Sequence, residues 1–283
     1  MKIVGKPSKP MLVALAVAFL LLQALACWLD SGRLGVFLAG AYAALALLAV
    51  IHMYFTAGEK NDQLQMLISS AHVETVRQAE ALLYIFSVVK PRWPLPPMRN
   101  MAISPDFAAT LTALILRLRP QLILELGSGT STVLCGYALE LLGGGRIVSL
   151  DHEAEYAEQT RRLLEEHQLE RFAQVIHAPL REMMLPAGQG SWKWYDPQPL
   201  ADLTNIDLVI VDGPPEWTQE LARYPALPML AARLSPQARI LIDDAARADE
   251  RRMVENWVRE FPYCIERIWD HEKGTVLLKR RQA

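Results

Sequence analysis

At 283 residues the chain has room for one α/β domain and something smaller beside it. Its 29 Lys and Arg against 31 Asp and Glu leave a net charge of −2 with no basic stripe, which argues against a nucleic-acid partner. Three scattered cysteines, Cys27, Cys135 and Cys264, offer neither metal spacing nor a disulfide framework and suit a reducing compartment.

The surplus lies at the N-terminus. Met11 to Leu29 is apolar except for Gln23, and Leu34 to Ile51 carries no charge. Each run matches the length that crosses a hydrocarbon core of roughly 30 Å. Two transmembrane helices are expected, over 11–29 and 34–54, joined by a tight turn at Asp30-Ser31-Gly32-Arg33. Lys2, Lys6 and Lys9 outweigh Arg33, so the expected location is the inner (cytoplasmic) membrane, with both termini and everything after Phe55 cytoplasmic. A signal peptide cleaved after Ala24-Leu25-Ala26 is the rival reading, disfavoured by the long apolar core and the second run that follows. Small residues at Gly35, Ala39 and Ala43, and at Gly40 and Ala44, would let the two helices pack closely or pair with another copy as a homodimer.

Three regions follow: a membrane anchor over 1–56, a connector over 57–103 and an α/β domain over 104–283. In the connector, Leu64, Leu67, Ile68, Ala71, Val76, Ala79, Leu83 and Phe86 mark an amphipathic stalk helix. Pro91, Pro94, Pro96 and Pro97 then stiffen an extended segment bearing Arg92, Trp93 and Arg99, which suits either lipid headgroups or the mouth of a pocket. Ser104-Pro105-Asp106 reads as a helix start, and Pro120 as its stop.

From Leu122 to Asp151 the chain reads as strand, glycine turn, helix, strand and carboxylate, one βαβ unit. Gly127 and Gly129 allow a sharp bend and the close approach of a ligand. Asp151, ending the second strand, stands where a ribose would present its hydroxyls. The unit therefore binds something nucleoside-like. The dinucleotide fingerprint wants a third glycine where Thr132 stands, and Glu125 is an additional acid ahead of the first glycine.

Beyond it, a helix over Glu153 to His167 leads to a strand at Phe172 to Ile176, then to a long loop holding Trp192, Trp194 and Tyr195. Those aromatics suit a lid and an edge insertion equally. Ile206 to Val211 is an unbroken apolar strand ending in Asp212-Gly213-Pro214-Pro215. The helix from Trp217 to Leu234 must be kinked or split at Pro225 and Pro228. Arg239 to Ile242 is a strand ending in Asp243-Asp244, followed by a helix over Ala248 to Glu260. Tyr263 to Trp269 and Thr275 to Lys279 are linked too briefly for a crossover and must form an antiparallel hairpin.

The run ELGSGTS at 125–131, Asp151, IDLVIVDGPP at 206–215, ILIDDA at 240–245 and the closing hairpin resemble class I S-adenosylmethionine (SAM) dependent methyltransferases, in a bacterial branch with a DGPP turn. That resemblance implies a Rossmann-like α/β sheet of parallel strands with an antiparallel C-terminal hairpin, here preceded by two transmembrane helices. It implies that the backbone at Gly127, Ser128 and Gly129 holds the methionine part of SAM, with Glu125 near the ammonium. Asp151 would take the ribose hydroxyls, and His152, Pro179 and Leu180 would line the adenine. A helix cap is the structural alternative for Asp151, and His177 reads as a strand-end residue.

Two routes to acceptor activation remain open. Asp212 could take the acceptor proton directly. Alternatively Asp212, Asp243 and Asp244 could hold a divalent cation such as magnesium, as in the cation-dependent O-methyltransferases that the order also resembles. Asp244 in place of their Asn, and Pro215 in place of their Lys, depart from that pattern. The expected function is O-methylation of a small or lipid-linked acceptor at the bilayer. Transfer of another group from a SAM-derived donor, or a non-catalytic membrane scaffold or sensor, are the alternatives.

Overall fold

A computed structural model describes residues 9–29, 34–186 and 190–281. The chain divides into two units, Met1–Val73 and Glu74–Ala283, with the division inside a helix.

The first unit holds α1 (Lys9–Leu29) and the leading part of α2 (Leu34–Val88). Among the described residues one helical segment, Ala39–Val88, is long and apolar enough to cross a bilayer. Tyr42, Leu45, Leu47, Val50, Met53 and Tyr54 on it are exposed. Of the two expected spans, the second lies largely within that segment, and the first falls on α1, which contains the apolar stretch Leu12–Leu25. The predicted turn at residues 30–33, and the flanking Lys2 and Lys6, lie outside the described residues. A Cβ on Gly40 would stand 2.5 Å from Gln23 Oε1, so α1 and α2 meet closely at one of the small residues singled out above.

α2 runs unbroken past the expected boundary at residue 56, since no proline interrupts it. It stops where Lys90 turns left-handed (φ 48°) and Pro91 follows. In the second unit its last turns bury Gln78, Ala81 and Ile85. The linker leads to α3 (Pro105–Leu118), entered from extended Ser104 with proline in its first turn. Asp106 joins three segments there. Its Oδ1 accepts from Ser104 Oγ at 2.5 Å, its Oδ2 accepts from Glu272 N at 2.9 Å, and its own N–H donates to Gln78 Oε1 at 3.1 Å.

The domain then runs β1 (Leu122–Leu126), α4 (Thr130–Leu142), β2 (Arg146–Asp151), α5 (Ala154–Glu166), β3 (Ala173–His177), β4 (Leu180–Met184), β5 (Ser191–Tyr195) and β6 (Ile206–Val211), with β4 and β5 standing where a loop is expected. It closes with α6 (Ala226–Leu230), β7 (Leu234–Ile242), α7 (Ala248–Glu260), β8 (Tyr263–Trp269) and β9 (Thr275–Arg280). Among the described residues seven strands form one sheet in the order β3-β2-β1-β6-β7-β9-β8. The first five are parallel neighbours, while β9 runs antiparallel to both β7 and β8.

Alternation along each strand splits the core between two faces. Ile123, Ile147, Leu208, Ile210 and Leu241 pack with Phe107, Leu111, Val133 and Tyr137 from α3 and α4. Leu124, Leu126, Val209, Val211 and Ile242 pack with Leu227, Met253 and Trp257 from α6 and α7, and with Trp194 and Tyr195. The long loop after β3 thus contains a separate two-stranded sheet, β4–β5, whose inner aromatics form core. The predicted Trp217–Leu234 helix is split, as its prolines require, into 3-10 turns at Glu216–Thr218 and Ala231–Arg233 around α6.

Candidate active site

The carboxyl ends of β1, β2 and β6 open into a cleft of about 390 Å³, a volume that suits a small-molecule ligand. Its floor is the turn after β1. Gly127 (φ 117°) and Gly129 (φ 135°) both adopt backbone that side-chain-bearing residues rarely take, which is why the sequence needs glycine there. The turn delivers the N-terminus of α4, with Thr130 and Ser131, to the cleft wall, where the helix dipole favours an anionic group such as a carboxylate.

Thr132, in the place of the dinucleotide motif's third glycine, has a structural task. Its hydroxyl accepts from Gly129 N at 3.1 Å and donates to Glu125 Oε2 at 2.6 Å. Glu125 is fully buried on the α4 face of β1 and does not line the cleft. Ser149 Oγ on β2 also donates to its Oε2 at 2.5 Å, and Oε1 has no hydrogen-bond partner. Burial pushes the Glu125 carboxyl up to about 7, against the hydroxyls of Ser131, Ser149 and Thr132. Glu125 therefore lies behind the glycine turn, bracing it.

Asp151 lines the cleft at the end of β2. Its Oδ2 accepts from Ser128 Oγ at 2.5 Å and its Oδ1 from Glu153 N at 3.0 Å. The second contact closes a local turn ahead of α5. Ser128 Oγ also lies 3.0 Å from Thr160 Oγ1, so α5 joins this network. His152 borders the cleft, its ring 6.3 Å from that of Tyr195 in a T-shaped arrangement. Pro179 and Leu180 do not border it; the Pro179 carbonyl accepts instead from Asp196 N. Tyr156, Gln159, Thr160 and Leu163 of α5 do line it, at a helical spacing the sequence displays but no motif flags. Pro96, Pro97, Met101, Ala102 and Ile103 bring the proline-rich linker to the cleft rather than leaving it clear of the domain.

Asp212 stands across the cleft at the end of β6, its side chain 19% exposed. Burial pushes its carboxyl up to about 6, opposed by Arg223 and reinforced by Asp244. Gly213 beside it has no room for a side chain: a Cβ would stand 2.3 Å from Tyr195 Oη and 3.2 Å from the Leu126 carbonyl. Tyr195 is a cleft residue whose buried hydroxyl has no hydrogen-bond partner.

Asp243 and Asp244, after β7, are buried and do not border the cleft. With Asp212 they bring carboxylate oxygens within 4.8 Å of one another, a spacing at which oxygen ligands gather around a cation. A cation is already built in. Arg223, 4% exposed, donates to Asp244 Oδ2 at 2.7 Å and to the Asp243 carbonyl at 3.2 Å, with Asp212 Oδ1 at 3.5 Å. Asp244 is also paired with Arg247 at 3.0 Å. Burial, with Asp212 and Asp244 nearby, pushes the Asp243 carboxyl well up and favours its neutral form. The guanidinium thus holds Asp244 Oδ2 and faces Asp212 Oδ1, whereas both carboxylate oxygens of Asp243 and Oδ1 of Asp244 are buried without a hydrogen-bond partner. Sequence reasoning missed Arg223, a lone arginine in a proline-broken stretch.

The family model described as "Methyltransferase domain" matches residues 124–245, from within β1 to just past β7. A search of curated proteins finds no match. Among solved structures the chain resembles a Podospora anserina methyltransferase bound to SAH, at 14% identity and a TM-score of 0.55, covering 76% of this chain and 96% of that one. It also resembles the O-methyltransferase TomG of Streptomyces achromogenes, involved in tomaymycin synthesis and solved with SAM, at 16% identity and a TM-score of 0.50, covering 73% and 90%. These likenesses give the fold, that of SAM-dependent methyltransferases, and residues 124–245 match the methyltransferase domain.

Proposed function

We propose that the chain transfers the methyl group of SAM to a hydroxyl of a small or lipid-linked acceptor, with Asp212 as the general base. One observation carries this reading: the glycine turn with Asp151 and the carboxylate of Asp212 face each other across one cleft. The turn amides at Gly127, Ser128 and Gly129 and the N-terminus of α4 would receive the methionine carboxylate, and Asp151 the ribose hydroxyls. The acceptor oxygen attacks the methyl carbon in line, the sulfur–carbon bond breaks, an oxygen–carbon bond forms, and the acceptor proton passes to Asp212. The products are SAH and a methyl ether. Most of the acceleration in such a displacement comes from holding donor and acceptor in line. A carboxyl poised at about 6 is ionised near neutral pH and suited to proton acceptance.

The acceptor side of the cleft is apolar. Met101 and Trp217, 73% and 71% exposed, border it with Ile103 and Pro215, which supports an acceptor with an apolar body and a polar reacting end. The span within α2 supports presentation of the domain at a bilayer, where a lipid-linked acceptor would be found. The test is calorimetric titration of the full chain with SAM, wild type beside Asp151→Ala. Micromolar binding lost in the variant is the expected result; a folded wild type that binds no SAM sinks the reading.

A further inference from the structure

Arg223 belongs to no motif, yet its guanidinium is the most heavily engaged group behind the cleft. Nη2 donates to Asp244 Oδ2 at 2.7 Å, Nη1 to the Asp243 carbonyl at 3.2 Å and Nε to the Pro214 carbonyl at 3.3 Å. Asp212 Oδ1 lies 3.5 Å from Nη2, and Glu250 Oε1 3.6 Å from Nε. One buried cation thus touches the turn after β6, the acidic pair after β7 and the first turn of α7. A buried arginine is rarely tolerated unless its charge and its donors are matched, and here both are.

The converse holds for the acids. Without a cation, the buried carboxylates of Asp244 and Glu250 would be like charges gathered behind that of Asp212, which lines the cleft, a costly arrangement. Arg247 and Lys273 neutralise only its rim: Arg247 is 37% exposed, and Lys273 Nζ reaches no nearer than 4.0 Å to Asp244 Oδ1. Two backbone carbonyls aimed at Arg223 complete a polyoxygen nest of the kind hard cations occupy.

We propose that Arg223 is the resident cation of this site, standing where a divalent metal would otherwise sit and positioning Asp212 against the cleft. The positioning role rests on the methyl-transfer reading; the cation role rests on geometry alone. It follows that the wild-type site takes up no divalent metal. Removing the guanidinium should open a nest in which Asp212, Asp243 and Asp244, at 4.8 Å or less from one another, become ligands.

The full-length chain in detergent micelles is titrated with Mn²⁺, and free Mn²⁺ is read by electron paramagnetic resonance. Wild type and Arg223→Lys, which keeps a cation, are expected to leave the signal undiminished. Arg223→Met is expected to take up Mn²⁺ stoichiometrically, and Arg223→Met combined with Asp212→Asn to take up none. Should Arg223→Met fail to fold, Arg223→Gln, which keeps an N–H for the carbonyls without the charge, replaces it. Uptake by wild type that Asp212→Asn abolishes overturns the proposal, as does a folded Arg223→Met or Arg223→Gln that binds no Mn²⁺. SAM titration of the same preparations separates the two claims, because failure to bind SAM removes the methyl-transfer reading and leaves the cation assignment standing.

Discussion

Ser128 Oγ donates to Asp151 Oδ2 at 2.5 Å, tying the turn after β1 to the acid that ends β2. The contact fixes the carboxylate at the cleft while leaving lone pairs for a ligand, since an ionised carboxylate accepts about four hydrogen bonds. Asp151→Ala should weaken SAM by roughly 1.5–3 kcal/mol, the range for hydrogen bonds to a charged group. Ser128→Ala removes only the support and should cost about 0.5–1.5 kcal/mol. Calorimetry on both variants checks the order; equal losses would mean that Asp151 acts only through Ser128.

Asp212 faces the cleft, and burial holds its carboxyl at about 6. A base must be deprotonated to work, so methyl transfer should rise with pH through about 6 and then level. Asp212→Asn should lower kcat by about 10²–10⁴, the usual worth of a positioned base, and leave SAM affinity intact. A pH–rate profile of wild type beside single-turnover rates for the variant decides it. Unchanged rates would assign Asp212 to structure.

How far the sequence reached depended on how locally each feature is encoded. β1 and β6 were legible because strands buried on both faces read as unbroken apolar runs, and the closing hairpin because its link is too short to cross over. The β4–β5 pair was not, since Arg181, Glu182 and Lys193 break the apolar pattern and leave only its inner aromatics as a signal. Asp151 and Asp212 were legible from their places at strand ends. Alternation along β1 turns Glu125, expected near the ligand's ammonium, toward α4 together with Ile123. Arg223 was invisible because its partners come from β6, β7 and α7, which only the folded sheet brings together.

Glu125 gives a pH-dependent prediction. Its folded carboxyl titrates at about 7 against roughly 4.3 in the unfolded chain. A raised value means that its contribution is fully present below the unfolded pKa and is lost as pH rises through about 7. Ionising this group in the core should therefore weaken the fold by on the order of 3 kcal/mol between acidic and mildly alkaline conditions. Glu125→Gln keeps an acceptor for Thr132 and Ser149 but cannot ionise. It should match wild type at acidic pH, exceed it in denaturant midpoint at alkaline pH, and still bind SAM. Loss of SAM binding would instead return Glu125 to the ligand.

Tyr195 separates a ligand role from a packing role. Its ring is fully buried in the core behind β6, while its hydroxyl reaches the cleft beside Gly213 and has no hydrogen-bond partner. A buried, unsatisfied hydroxyl costs the fold about 1–3 kcal/mol. Burial first, and then the charges of Asp151 and Asp212, push its ionisation well up, so the group stays a neutral donor. Tyr195→Phe keeps the packing and removes the penalty, so the melting temperature should hold or rise. If the cleft ligand satisfies the hydroxyl, the same variant should bind SAM or the acceptor more weakly, by roughly 0.5–1.5 kcal/mol. Thermal melts with and without SAM measure both effects on one sample. A higher melting temperature with a smaller SAM-induced rise marks the hydroxyl as a binding group, whereas an unchanged SAM-induced rise and unchanged acceptor KM mark it as a gap in the packing.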